Sequence, residues 1–217
     1  RMYEGLTLVP YLLASVLLPR LSRHFVENRG LHTSLSLKSL NYLSIAALPL
    51  LVSVGLLAPS VIRLLYGESY LPAVAPLRVL LLASVMMFAN WLLNTIMISA
   101  NRESTVLKVA ATGLAIIGIS NPLLIGRLGM TGASWSVVIA EVSVLLMLVR
   151  SSGGVLGRVG ARSLPWKPAF AAILSASVVL VPIADPTTRT LLFLGVYTAL
   201  VLLLRALDPS DWLAAAG

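Results

Sequence analysis

Residues 77–100 read Leu77-Arg78-Val79-Leu80-Leu81-Leu82-Ala83-Ser84-Val85-Met86-Met87-Phe88-Ala89-Asn90-Trp91-Leu92-Leu93-Asn94-Thr95-Ile96-Met97-Ile98-Ser99-Ala100. A single charge, Arg78, stands at the start of the run. Its length exceeds the roughly 20 apolar residues that carry a helix across a hydrocarbon core. It lacks the alternation of apolar and polar residues that a membrane barrel strand requires. Backbone groups in lipid must be paired within the segment, so a helix is the reading that remains.

Outward from this run the same pattern recurs, at about 2–18, 41–62, 106–125, 132–149, 168–184 and 190–205. The expected fold is therefore all-α: a polytopic transmembrane helical bundle of about seven spans. Composition agrees, with 58% apolar and 11% charged residues in 217 and a mean hydropathy of +0.95. Soluble domains hold about 25% charged residues, so an ordinary soluble domain is excluded. The chain has no cysteine, which excludes disulfides, thiolate nucleophiles and zinc–thiolate sites. The net charge of +8 is expected to face membrane lipid headgroups from short loops rather than nucleic acid.

Two stretches read as the longer loops. Residues 19–40 carry Arg20, Arg23, Arg29, Lys38 and both histidines; 150–167 carries Arg150, Arg158, Arg162 and Lys167 beside Ser151-Ser152-Gly153-Gly154. The expected organisation is a lobe of five spans over 1–150, a cytoplasmic linker over 151–167, and a terminal transmembrane hairpin with a short tail over 168–217. Counted by side, five Lys and Arg fall on one face and eleven on the other. The positive-inside rule then places the C-terminus in the cytoplasm and the N-terminal end outside, in a multi-pass protein of the cytoplasmic membrane. The chain opens on Arg1 rather than methionine, and the expectation is a fragment lacking an odd number of upstream spans.

Few residues carry chemistry. Glu141 is the one acid deep in a span, where an uncompensated charge costs about 2.5–3.5 kcal/mol or more. It reads either as a proton or cation site or as a group that ties two helices. Asn90 and Asn94, four apart, share a helix face, and Asn121 precedes Pro122. Such amides serve as interhelical glue or line a polar cavity, glue being the commoner role. Arg1, Tyr3 and Glu4 cluster at one end of the first span and are candidates for the wall of an anion-binding cavity, the alternative being interfacial anchoring. Pro10, Pro49, Pro59 and Pro122 each remove a backbone hydrogen bond and permit a kink. Gly129, Gly132, Ala133 and Ser134 read as close helix packing rather than a phosphate loop. His24 and His32 match no metal spacing and read as interfacial. No metal site, cofactor site or enzyme constellation is expected.

Four passages coincide with a known pattern. They are Arg1-Met2-Tyr3-Glu4-Gly5-Leu6 with Leu17-Leu18-Pro19-Arg20; Leu65-Tyr66-Gly67-Glu68-Ser69-Tyr70 with Ala75-Pro76-Leu77-Arg78; Ile98-Ser99-Ala100-Asn101-Arg102; and Gly126-Arg127-Leu128-Gly129-Met130-Thr131-Gly132-Ala133-Ser134. The series resembles the C-terminal half of polysaccharide and O-antigen flippases of the multidrug/oligosaccharidyl-lipid/polysaccharide superfamily. Residues 1–150 carry the resemblance well and the final pair weakly; Ile125-Gly126 departs from the family's usual Ile-Pro. The resemblance implies the second lobe of a two-lobe transporter plus a terminal helix pair, with the first lobe missing from this chain. It implies alternating access that moves a polyprenyl-linked glycan across the membrane, with Arg1, Tyr3 and Glu4 on the cavity wall. The alternatives that stay open are a cation-coupled multidrug exporter of the same superfamily, a membrane glycosyltransferase or polymerase, and an assembly subunit without transport.

Overall fold

A computed structural model describes residues 2–162, 166–176 and 186–204; Arg1, 163–165, 177–185 and 205–217 lie outside the described residues. The described chain is helical: α1 (Met2–Glu27), α2 (Arg29–Tyr66), a 3₁₀ turn (Glu68–Ala73), α3 (Val74–Ser99), α4 (Glu103–Arg162), α5 (Trp166–Ala176) and α6 (Pro186–Leu203). The all-α expectation holds. The expected number of spans does not: six helices are seen, and among the described residues four stretches are long and apolar enough to cross a membrane. Nor do the described helices show a two-lobe arrangement. The shortfall has local causes. The expected spans 106–125 and 132–149 both lie within α4, much of 168–184 falls outside the described residues, and α1, which holds the expected span 2–18, is not among the four. With several such helices the chain is a multi-pass membrane protein.

Helix α4 has 60 residues, a length of about 90 Å at 1.5 Å per residue. That is three times the hydrocarbon thickness of roughly 30 Å. It folds back instead. Gly129 adopts φ 58°, ψ −135°, a conformation open to glycine and strained for other residues. A Cβ at Gly132 would overlap the Leu124 carbonyl, and one at Gly113 would lie 2.8 Å from Val144. A Cβ at Gly154 would lie 4.0 Å from the Arg102 guanidinium. Residues 124 and 132, 113 and 144, and 102 and 154 thus pair at a nearly constant register, which defines an antiparallel helical hairpin with its tip at Gly129. The small residues of this segment make a turn as well as close packing.

Segment 19–40, expected as a loop, is helical on both sides of Asn28. That residue is extended (φ −155°, ψ 96°) and its side-chain oxygen accepts the Leu31 amide at 3.1 Å, capping α2. Helix α2 then runs 38 residues, about 57 Å, and so projects beyond the hydrocarbon. Residues 151–162 are also helical and continue α4, with a second break at Gly157.

Helix α3 sits between α1, α2 and α4. Leu81, Met87, Leu92, Leu93, Ile96 and Met97 of α3 bury against Leu40, Leu43, Ala47 and Leu51 of α2, Leu21 of α1, and Val109 and Leu148 of α4. A second, smaller cluster places Phe193, Tyr197 and Val201 of α6 with Ala171 and Ala172 of α5 on the opposite face of α2. Leu107, Leu114, Ile119, Leu123, Leu191 and Leu202 turn outward. Exposed apolar surface of that extent suits contact with lipid.

Candidate functional site

Polar side chains in a bundle of this kind divide by chemistry. A hydroxyl is a donor and finds an acceptor on its own helix. Ser36, Ser44, Ser84, Thr95, Ser134, Ser136 and Ser143 each donate to the carbonyl four residues earlier. An amide oxygen needs a donor, and the N–H groups of a helix interior are already engaged. Asparagine oxygens therefore stay bare unless another helix supplies a donor.

The structure joins two of the expected residues. Asn90 Nδ2 of α3 donates to Glu141 Oε2 at 2.7 Å and to the Glu141 backbone carbonyl at 3.0 Å, across to the second arm of α4. Asn90 is 3% exposed and Glu141 half-buried. Among the described residues no cationic side chain pairs with the carboxylate. Among the described residues the Asn90 amide is the one side chain that bonds the Glu141 carboxylate, so an amide rather than a counter-charge holds it. Both readings of Glu141 keep their footing here: it does tie two helices, and it does so as a titratable group without a fixed charge opposite.

Asn94 and Asn121 are not brought into that pair. Each instead has a buried side-chain oxygen without a hydrogen-bond partner among the described residues, as does Asn90 on its other side. All three asparagines singled out from the sequence thus carry a bare acceptor. Ser53 and Ser120 hydroxyl oxygens share that state. A buried unsatisfied acceptor costs about 1–3 kcal/mol unless water or a ligand meets it, so Asn90 and Asn94, one turn apart on α3, leave the α3–α4 seam with capacity for donors from outside the protein. Arg1 lies outside the described residues, and the side chains of Tyr3 and Glu4, on the first turn of α1, do as well.

Three polar contacts escaped the sequence reading. His32, read as interfacial, is 1% exposed, and its Nε2 lies 3.0 Å from Ser99 Oγ at the α3 terminus. Ser99 Oγ also lies 2.8 Å from the Ile96 carbonyl, an arrangement that suits an imidazole with its proton on Nε2. Phe25 meets the ring edge-on at 5.2 Å, and Arg29 lies over Phe25. His32 lies in the first turn of α2, ahead of the apolar run 41–62. Burial holds its pKa below the usual imidazole value, and His24 and Arg29 lower it further.

The other two contacts answer the prolines of α2. A helical proline lacks an N–H, so the carbonyl four residues earlier loses its partner. For Pro49 that carbonyl belongs to Ile45; for Pro59 it belongs to Gly55. The Tyr197 hydroxyl of α6 donates to the Ile45 carbonyl at 3.1 Å. Arg78 Nε of α3 donates to the Gly55 carbonyl at 3.1 Å. Each vacancy in α2 is filled by a side chain from a different helix, which is how proline is accommodated in a membrane span.

No group of three or more His, Asp or Glu that would hold a metal ion occurs among the described residues. Compared with known protein families and with curated proteins, the chain matches none.

Proposed function

We propose that this chain is part of a transporter that moves a lipid-linked oligosaccharide or polysaccharide precursor across the cytoplasmic membrane by alternating access. The observation that carries the reading is the seam between α3 and α4. Among the described residues Glu141 is tied there to Asn90, and amide oxygens are left bare inside a membrane-spanning bundle. An ionisable group is expensive in lipid and is a functional candidate there, and bare amide oxygens beside it add capacity for a polar pathway. The sequence resemblance supplies the substrate class, a polyprenyl-linked glycan, and a first lobe as partner. In this reading the polar headgroup crosses between lobes while the lipid tail stays in the bilayer. Arg1, Tyr3 and Glu4 would line the crossing, and the C-terminus would face the cytoplasm.

The test uses cells lacking the gene and cells restored with the full-length chain. Loss is expected to leave lipid-linked glycan on the cytoplasmic leaflet, read by surface labelling against total precursor. Normal surface glycan in the deleted cells would overturn the proposal. A second reading, a cation-coupled exporter, is favoured by Glu141 alone. It requires that Glu141→Gln abolish efflux driven by a cation gradient, whereas wild-type efflux by that variant removes it.

A further inference from the structure

Between α2, α3 and the start of α6 lies a cavity of about 460 Å³, within the range of small-molecule sites. Its walls are apolar: Leu51 and Leu56 from α2, Leu82 and Val85 from α3. Two guanidinium groups join them, Arg78 from the second turn of α3 and Arg189 from the first turn of α6. Among the described residues no acidic side chain lines the cavity. Arg78 is held in place by the chemistry of α2. Pro59 strips the Gly55 carbonyl of its helical partner, and the Arg78 Nε–H takes that place at 3.1 Å. The guanidinium has five donors in a fixed fork, so its terminal amino groups remain the ones directed to a ligand.

We propose that this cavity binds an anionic phospholipid of the surrounding membrane, its phosphate on Arg78 and Arg189 and an acyl chain along Leu56, Leu82 and Val85. Three features select this occupant. Arginine forks match phosphate oxygens in geometry and charge. Both arginines stand in the opening turns of their helices, where a span meets the headgroup layer. The wall runs on to Leu82, which is 45% exposed on the outer surface of the bundle, so an acyl chain can enter sideways from the bilayer. A soluble anion would gain nothing from the apolar walls. The site is independent of the transport reading, because it uses neither Glu141 nor Asn90.

The test is native mass spectrometry and thermal unfolding of the full-length protein in nanodiscs and detergent. Phosphatidylglycerol, phosphatidylcholine and inorganic phosphate are compared as probes. Phosphatidylglycerol is expected to remain bound after the others have dissociated and to raise the unfolding temperature. Arg189→Gln is expected to weaken its retention about tenfold or more, the loss of a charge-assisted hydrogen bond. Val85→Trp, which fills the cavity and leaves both charges, should weaken it as well. Arg189→Gln carries the charge test because Arg78 also supports α2. Equal retention of phosphatidylcholine, equal protection by inorganic phosphate, or full phosphatidylglycerol binding by both variants would each overturn the proposal.

Discussion

The α2–α6 seam and the α3–α4 seam are both built across apolar helices, and both contain buried polar groups. They use them in opposite ways. At α2–α6 the tyrosine hydroxyl and the carbonyl that Pro49 left bare satisfy each other, and Phe193 and Val201 close the surroundings. At α3–α4 the amide–carboxylate contact is made, yet amide oxygens remain unmatched beside it. The first seam repairs the backbone and leaves little over. The second retains more polar capacity than its packing requires. Polar groups in a membrane bundle are therefore best sorted by whether their hydrogen bonds close, and the ones that do not close point to function.

The widest gap between the seams should appear on removing one member of the pair. Asn90→Leu leaves the Glu141 carboxyl without its amide, and is expected to cost about 1–3 kcal/mol of stability. Adding Glu141→Leu should recover much of that loss, because two apolar groups then meet and no polar group is stranded. A double-mutant cycle on unfolding in mild denaturing detergent measures the coupling. Additive losses would show that the 2.7 Å contact contributes nothing to the seam.

A smaller effect is expected at the repaired seam. Tyr197→Phe keeps the ring in its cluster and removes only the hydroxyl that reaches Ile45, at a cost of about 0.6–1.7 kcal/mol. The cause is Pro49, so the cost should shrink toward zero in a Pro49→Ala background, where residue 49 regains an N–H for that carbonyl. Thermal unfolding of the four variants reads this directly. An equal cost in both backgrounds would mean that the hydroxyl serves something other than the proline vacancy.

This seam also shows what a sequence can and cannot reveal. The bare acceptors, Ile45 and Gly55, follow from proline position by counting back four residues. Their donors do not follow, because Tyr197 is 152 residues away and Arg78 is 23. Spans were legible wherever apolar runs exceeded the membrane thickness. Hydropathy is blind, however, to helix that continues into the headgroups and beyond, so 19–40 reads as a loop while Asn28 is its sole interruption. Gly129 was visible as one of several small residues. Its role as the tip of a hairpin depends on a backbone angle that composition does not encode. At the site, Asn90 and Glu141 stood out as polar residues in lipid, but their pairing required the fold of α4. His32 was misjudged because its partner, Ser99, comes from the far end of α3.

The smallest effect is the most diagnostic, because its sign differs from the others. Asn94 has a buried oxygen with no partner among the described residues. Replacing it with leucine removes an unsatisfied acceptor and keeps a side chain of similar length. Stability should therefore stay within about 0.5 kcal/mol of wild type or rise slightly, unlike the loss at Asn90 one turn earlier. Transport by the full-length chain should nevertheless fall, if the amide faces the pathway. Stability and transport would then separate at Asn94. A marked loss of stability in Asn94→Leu would mean that this oxygen is already satisfied, and would make the two seams alike.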